Sequence, residues 1–315
     1  MTPREGGLPA PATGQPRKYA EAMRSGRALA TLHRAQRLRS EFFTLAVREE
    51  LGAIAAETAK HTPRVPAGAV VLEVGAGQDP DPSTALVIDK YVADDFERPG
   101  ERPMSFAKPV VVADGEQLPL RDGAFDYAIA SHVLEHAQHP AEFAGELSRV
   151  ASAGFVQVPS RAAELTFGWA YHPWLIDRSA GGLVFHPRGK AVAPIGEVFH
   201  QGYTDSAFFR AWWAANRSVW HHSIEWQGEL EVSVEGASEA AQTAGFDLER
   251  TVARLRRAKT DGVTTPLPEH VSARLVCPAC RSGFASPVRG ATLGCTGCGA
   301  SYIVAGDVPV LVVGD

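Results

Sequence analysis

Val70-Val71-Leu72-Glu73-Val74-Gly75-Ala76-Gly77 is the stretch whose reading decides the fold. An apolar run carries one acid, then a further apolar residue and two glycines. Such a run reads as a strand of a parallel sheet, buried on both faces. Glycine at its end permits a tight turn and lets a ligand approach the backbone. Two further runs repeat the arrangement: Ala85-Leu86-Val87-Ile88 ends in Asp89, and Val110-Val111-Val112-Ala113 ends in Asp114. Open α/β sheets bind ligands outside the carboxyl ends of their strands. Three strands with an acid at or near that end therefore mark one rim as the binding edge.

The same rhythm continues downstream. Asp122-Gly123 signals a turn, and Phe125-Asp126-Tyr127-Ala128-Ile129-Ala130 reads as a fourth strand, with Ser131 to His136 at its carboxyl end. Pro140 opens a helix on which Phe143, Leu147 and Val150 fall on one face. Gly154 to Pro159 is a fifth strand. Strands alternating with helices predict an α/β, doubly wound sheet.

Four segments, LEVGAG at 72–77, IDK at 88–90, VADGEQLPLRDGAFD at 112–126 and AIASHVLEH at 128–136, resemble in order the motifs of class I S-adenosylmethionine-dependent methyltransferases, of the methyltransferase type 11 kind. The resemblance spans residues 66–160. It implies a Rossmann-like, seven-stranded sheet and S-adenosyl-L-methionine as cofactor. By position, it assigns Glu73, Gly75, Ala76 and Gly77 to the amino-acid part of the cofactor, and Asp89 with Lys90 to the ribose. Asp114, Gly115 and Glu116 fall to the adenine, and Ser131 and His132 lie beside the sulfonium. The chain departs from the family after Gly77, where Gln78-Asp79-Pro80-Asp81-Pro82-Ser83-Thr84 replaces a third glycine and a helix. Two prolines in so short a span forbid a regular helix. Gly75 to Asp89 is also 14 positions, against roughly 20 in a dinucleotide fingerprint. A pyrophosphate would want the missing helix N-terminus, so nicotinamide is disfavoured and a carboxylate-bearing sulfonium is not.

The chain has 315 residues, is 45% hydrophobic and carries a formal net charge of −5. That length supports one large domain with an appendage, and the charge argues against a surface coated for nucleic acid. With no membrane-length apolar run and no charged-then-apolar leader pattern, a cytoplasmic protein is expected. Residues 1–16 are rich in Pro and Gly and read as a disordered tail. Residues 17–60 read as helical, with seven Lys or Arg against one Glu within 17–39. Two readings stay open there: a solvated helix face beside the core, or a lid that draws an anionic substrate. The catalytic domain is expected over 61–235, helix and linker over 236–270, and a separate small domain over 271–315.

Residues 160–235 hold every tryptophan of the chain and His172, His186, His200, His221 and His222. Clustered aromatics build cores more often than pockets, although aromatic walls suit a drug-sized or sugar-like ligand. Ser223 to Val234 alternates around Gly228 and reads as a strand, turn and strand completing the sheet.

Cys277-Pro278-Ala279-Cys280 and Cys295-Thr296-Gly297-Cys298 contain all four cysteines. Two such knuckles can bring four thiolates to one tetrahedral ion, usually zinc, and a closed shell of four sulfurs makes it structural. An iron centre of the same geometry and a redox pair are the alternatives. LVCPAC, LGCTGC and SYIVAGDVPVLV resemble the small zinc-ribbon proteins that activate methyltransferases of tRNA, rRNA and release factors. The likeness implies that the ribbon docks on the catalytic domain. Three arginines against two aspartates in 271–315 give it no nucleic-acid signature of its own.

Methyl transfer depends mostly on orientation, and a hydroxyl acceptor adds a role for a general base. His132, His136 and His172 are the candidates, since histidine titrates near working pH. Methylation, at oxygen, of a small-molecule or a glycan- or lipid-linked acceptor is the leading reading. A tRNA, rRNA or protein methyltransferase is the second, weakened by Ser131-His132-Val133-Leu134 standing where base and amide methylators often carry Asn-Pro-Pro-Tyr. A non-catalytic scaffold, with the ribbon recruiting a partner, is the third.

Overall fold

The computed structural model describes residues 51–93, 103–189, 195–236, 245–285 and 291–313. The chain divides into two units between Ala55 and Ala56. Only residues 51–55 of the first are described, and they are helical. The expected tail and most of the expected N-terminal helices lie outside the described residues.

The larger unit is built on a six-stranded sheet in the order β3-β2-β1-β4-β5-β8. Its strands are β1 (Val71–Val74), β2 (Thr84–Ile88), β3 (Val110–Val111), β4 (Tyr127–Ser131), β5 (Ala153–Pro159) and β8 (His221–Gln227). The first five run parallel and β8 pairs antiparallel with β5. β1 is buried at every position, as a central parallel strand with both faces covered must be. No helix joins β1 to β2; residues 75–83 are turn and loop, as the two prolines require. Helix α1 (Pro140–Val150) begins with proline at its first turn, where a missing N–H costs nothing. It buries Phe143, Ala144, Leu147 and Val150 against the sheet, each large side chain contributing roughly 1.5–3 kcal/mol.

The C-terminal half departs from expectation in two ways. The sheet has six strands among the described residues, where seven were expected. The segment after Gly228 also does not return along β8. Gly228 turns the chain with a left-handed φ of 77°, and its N–H donates to the Ser152 carbonyl. Leu230 N then donates to Ser148 Oγ on α1 while the Leu230 side chain is buried. The chain is thereby carried along α1, and β9 (Glu231–Val234) pairs parallel with β7 (Gly182–Pro187). With β6 (Trp174–Arg178) these form a separate three-stranded sheet. Alternation gave both strands but not their partners, because period 2 carries no information about pairing.

In chain order, α2 (Arg161–Phe167) lies between β5 and β6, and α3 (Gly196–Asp205), α4 (Ala207–Ala215) and α5 (Arg217–Trp220) lie between β7 and β8. Ser160 caps α2 by accepting from Ala163 N, and Gly168 ends it in the left-handed region. Phe167, Trp169, Phe199, Phe209, Trp213 and Trp220 pack as one aromatic cluster, while Trp174 and Trp226 join the main core.

Helix α6 (Leu248–Thr260) is capped by Asp247 and is followed by the short α7 (Glu269–Ser272). A second three-stranded sheet closes the chain, with β10 (Thr292–Gly294), β11 (Ser301–Ala305) and β12 (Val308–Val310). This C-terminal segment packs on the main sheet. Val112 N donates to Pro309 O and Leu311 N to Val112 O, which sets β12 beside the end of β3. Leu275, Leu293, Tyr302 and Leu311 bury within the same cluster as β1 and β4.

Polar contacts pin this junction. Glu146 on α1 accepts from Leu118 N, from Arg149, and from Arg281 Nη2 at 2.8 Å. Burial pushes its carboxyl up, but the bonds from Arg149 and Arg281 outweigh burial and hold it below its ordinary 4.5. A depressed folded pKa stabilises fully above the unfolded value and is lost as pH falls through the folded one. Glu146→Gln should therefore lower stability by about 1–3 kcal/mol at neutral pH, measured by the denaturant midpoint. The gap from wild type should shrink below pH 4.5, and a gap that stays constant with pH would contradict this account.

Candidate active site at the strand ends

Parallel register sets the first strand ends level. Val74 pairs with Ile88 and Ala130, and Ile88 with Val111. Gly75, Asp89 and the start of the 112–116 loop therefore emerge on one rim. Gly75 N donates to Ile88 O and Asp89 N to Val111 O, so the ladder continues into the turns. Gly75 has φ 73° and Gly77 φ 58°, a region where a Cβ is strained. At Gly75 a Cβ would also lie 2.7 Å from Val133.

The acids on this rim have different commitments. Lys90 Nζ lies 2.6 Å from Asp114 Oδ2, joining the second strand end to the third. Both are partly exposed, so the pair is worth about 0.2–1 kcal/mol. Asp89 Oδ1 accepts from Tyr91 N, and Asp114 Oδ1 from Glu116 N. Glu73 turns back into the fold: Oε2 accepts from Thr84 Oγ1 and Asp81 N, fastening the shortened loop. Glu116 is likewise engaged by the protein, accepting from Gln138 N and His139 N, with His139 Nδ1 at 2.8 Å. Gly115 leaves room for Phe143, which a Cβ would strike.

At the end of β4 the structure brings the three candidate histidines together. Ser131 is its last residue, partly buried, and His132 follows with a left-handed φ of 56°. His132 Nδ1 is 3.2 Å from Glu135 Oε1, and its Nε2 is 3.0 Å from Gln157 Oε1. Leu134–His136 forms a single 3₁₀ turn, held from beyond by Trp174 Nε1 donating to Ala137 O. His136 stacks on Tyr171 and meets His172 edge-on, with ring centroids 4.6 Å apart. His172 Nδ1 is 2.6 Å from Glu164 Oε1, and Arg188 Nη1 is 3.0 Å from Glu164 Oε2.

Electrostatics divide the two buried carboxyls. Burial pushes Glu135 up, but the bond from His132 and the field of the neighbouring imidazoles outweigh it and lower its pKa. For Glu164, burial and the charge of Glu135 win, and its pKa is pushed up to about 8. Burial, aided by His136, holds His172 down at about 3. His172 is thus a neutral, oriented imidazole and a weak base by itself. Glu135 Oε2 is buried and has no hydrogen-bond partner.

Sequence reading picked out the histidines but gave Glu135 no part in the chemistry, and passed over Glu164, Gln157 and Arg188. Glu164 carried a signal: it precedes Phe167 by three positions and so shares the buried face of α2.

His186, His200 and His222 lie apart from this cluster in their contacts. His186 is paired with Asp177 and Glu235, and His200 Nε2 bonds the Phe167 carbonyl. His222 sits on β8, paired in register with Val158. A groove of about 570 Å³ between α1 and β9 is lined by Gly145, Ser148, Glu229 and Val232, with no residue from the strand-end turns.

The four cysteines also converge. No disulfide joins them, and Cys277 Sγ lies 3.8 Å from Cys298 Sγ and Cys280 Sγ 3.3 Å from Cys295 Sγ. All four sulfurs lie within 4.8 Å of one another. A tetrahedral shell with bonds of ~2.3 Å has edges of about 3.8 Å, so the set is compatible with one metal ion. Gly297 N and Cys298 N donate to Cys295 Sγ, and hydrogen bonds from Ser282 draw the Cys280 thiol down to about 6.

Residues 76–155 match the family model described as a methyltransferase domain. The match falls within residues 66–160, where the motifs carry the resemblance, and upholds that resemblance there. No curated protein matches the chain. Among solved structures, a SAM-dependent methyltransferase from Thermotoga maritima is 17% identical, covers 42% of this chain and 61% of its own, and has a TM-score of 0.26. One from Aquifex aeolicus is 19% identical over 30% of this chain and 58% of its own, with a TM-score of 0.22. A chain from the complex of the Haloferax volcanii Trm112 methyltransferase activator with a methyltransferase is 12% identical over 58% of this chain and 95% of its own, at 0.32. This chain spans between 51% and 61% of the length of the first three solved structures it matches. Among the described residues, no helix is long and apolar enough to cross a membrane.

Gly75→Ala should lower stability by about 1–3 kcal/mol through overpacking and a disfavoured φ. Adding Val133→Ala should restore the steric part alone. Urea midpoints of the two variants check this; full recovery in the double variant would show that backbone conformation contributes nothing.

Proposed function

We propose that the chain is an S-adenosylmethionine-dependent methyltransferase acting at oxygen on a small-molecule or a glycan- or lipid-linked acceptor. The observation that carries the reading is the level register of β1, β2 and β3, which gathers Gly75, Asp89 and Asp114 on one rim. Gly75, Ala76 and Gly77 would hold the amino-acid end of the cofactor by backbone approach. Asp89, with Lys90, would take the ribose hydroxyls, and Asp114 with Gly115 would face the adenine. Ser131 and His132 would border the sulfonium. Glu73 and Glu116 would act at one remove, by fixing the loops on either side. S-adenosylmethionine, when bound, supplies an electrophilic methyl group.

The part left to the protein is orientation and management of the acceptor's proton. Glu135, His132, His136 and His172 crowd the end of β4, and Trp169 and Tyr171 contribute aromatic walls beside His172. Imidazole and carboxylate groups at this point favour a hydroxyl acceptor, which must lose a proton, over one that needs no such help. Packing of the C-terminal segment on β3 favours RNA or protein methylation as the second reading. A mobility shift with a labelled RNA pool, and its salt slope, separates the two. A scaffold without catalysis would leave the rim with no ligand.

We assign zinc to Cys277, Cys280, Cys295 and Cys298 in a structural role, and place the protein in the cytoplasm, where paired thiols serve metals rather than disulfides. Chelation should release one zinc per chain and raise hydrogen exchange in 292–310 and at Val112, which they contact. Unchanged exchange at Val112 would separate the ribbon from the sheet.

Calorimetry should find micromolar binding of S-adenosylmethionine and none of NAD. Asp89→Ala removes charge-assisted bonds worth about 1.5–3 kcal/mol and should weaken binding roughly ten- to hundred-fold. Tight NAD binding would overturn the cofactor assignment.

A further inference from the structure

Glu135, His136 and His172 each offer one ligand atom, and these atoms lie within 4.8 Å of one another. We propose that they form a second metal site, separate from the cysteines, which binds a divalent cation that favours nitrogen and oxygen ligands, such as zinc, manganese or cobalt. Two imidazoles and one carboxylate are the donor set of catalytic zinc and of non-haem iron centres, which keep coordination positions open.

Three independent features converge on this assignment. Glu135 is 1% exposed, and its Oε2 has no hydrogen-bond partner. A buried carboxylate oxygen left unmatched costs free energy, and a bound cation would remove that cost. His172 has the supporting contact expected of a ligand, because its Nδ1 faces the buried Glu164 at 2.6 Å. With a cation bound, Glu164 would be held ionised and accept from Nδ1–H, which fixes the tautomer and leaves Nε2 free to ligate. The charges point the same way: Arg188 Nη1 pairs with Glu164 at 3.0 Å, and Glu135 Oε1 faces the His132 imidazole at 3.2 Å, so that a cation would supply a full positive charge to a buried carboxylate. Bonds of ~2.0–2.2 Å draw ligand atoms closer than they now stand, a movement of about an ångström for these side chains.

The site lies where the fourth strand meets the rim. In its use, though not in its existence, the inference rests on the methyl-transfer reading. An ion held here with open positions could take an acceptor hydroxyl or a catechol-like pair of oxygens, and acidify it by direct coordination. The proton would then leave to solvent or to His132, with no change of oxidation state.

The test uses the full-length protein with its cysteine site filled. Titration with zinc or cobalt, followed by metal analysis after gel filtration, should give two ions per chain. Cobalt should add bands without sulfur-to-metal charge transfer, and manganese resonance should report two coupled nitrogens. His136→Ala and the near-isosteric Glu135→Gln should reduce the count to one while leaving S-adenosylmethionine affinity within about threefold. Glu164→Gln, a positioning variant, should weaken the ion ten- to hundred-fold. One ion per chain in the wild type, or two retained in both ligand variants with no nitrogen coupling, would overturn the proposal. Loss of cofactor binding with intact metal stoichiometry would instead count against the methyltransferase reading alone.

Discussion

The rest of the structure depends on parallel pairing of β1 with β2 on one side and β4 on the other. Val74 aligned with both Ile88 and Ala130 puts three strand ends at one height. The ladder runs on into the glycine turn, through the N–H of Gly75 and the carbonyl of Ile88. A slip of one residue in β1 would turn Leu72 and Val74 away from the cluster they fill and exchange them for Glu73. Burial thus enforces the register, and the register places the acids.

Around this frame the two ends of the rim differ in character. At β1 to β3 the groups are partly exposed and their ion pair is weak and local. Beyond β4, Glu135, Glu164 and His172 are buried, and the two carboxyls are driven in opposite directions by their surroundings. In the proposed reading, the first part of the rim holds the cofactor and the second acts on the acceptor. The left-handed backbone of His132, a non-glycine residue, falls between them, where strain is commonly retained for function.

Much of this was legible in the chain. The apolar runs at 70–74, 85–88 and 110–113 gave the strands, and the prolines at 80 and 82 correctly removed a helix. Phe143, Leu147 and Val150 gave the buried face of α1. The sequence pattern was silent wherever a partner had to be chosen. β9 has the period of a strand but joins β7 rather than β8, because Gly228 and Leu230 tie the chain to α1. The contact of β12 with the end of β3 rests on two backbone hydrogen bonds around Val112, which no side chain announces. Glu164 and Arg188, 24 positions apart, read as ordinary charges until the fold buries them together. The cysteines were the opposite case, since ligand spacing is local and survives without tertiary knowledge.

The most direct test of the central claim is a crystal structure of the full chain soaked with S-adenosylhomocysteine. The nucleoside should lie across the rim, its ribose on Asp89 and its base beside Asp114, with the amino-acid end over Gly75 to Gly77. Density for the ligand in the groove between α1 and β9, with the three strand ends bare, would contradict the account.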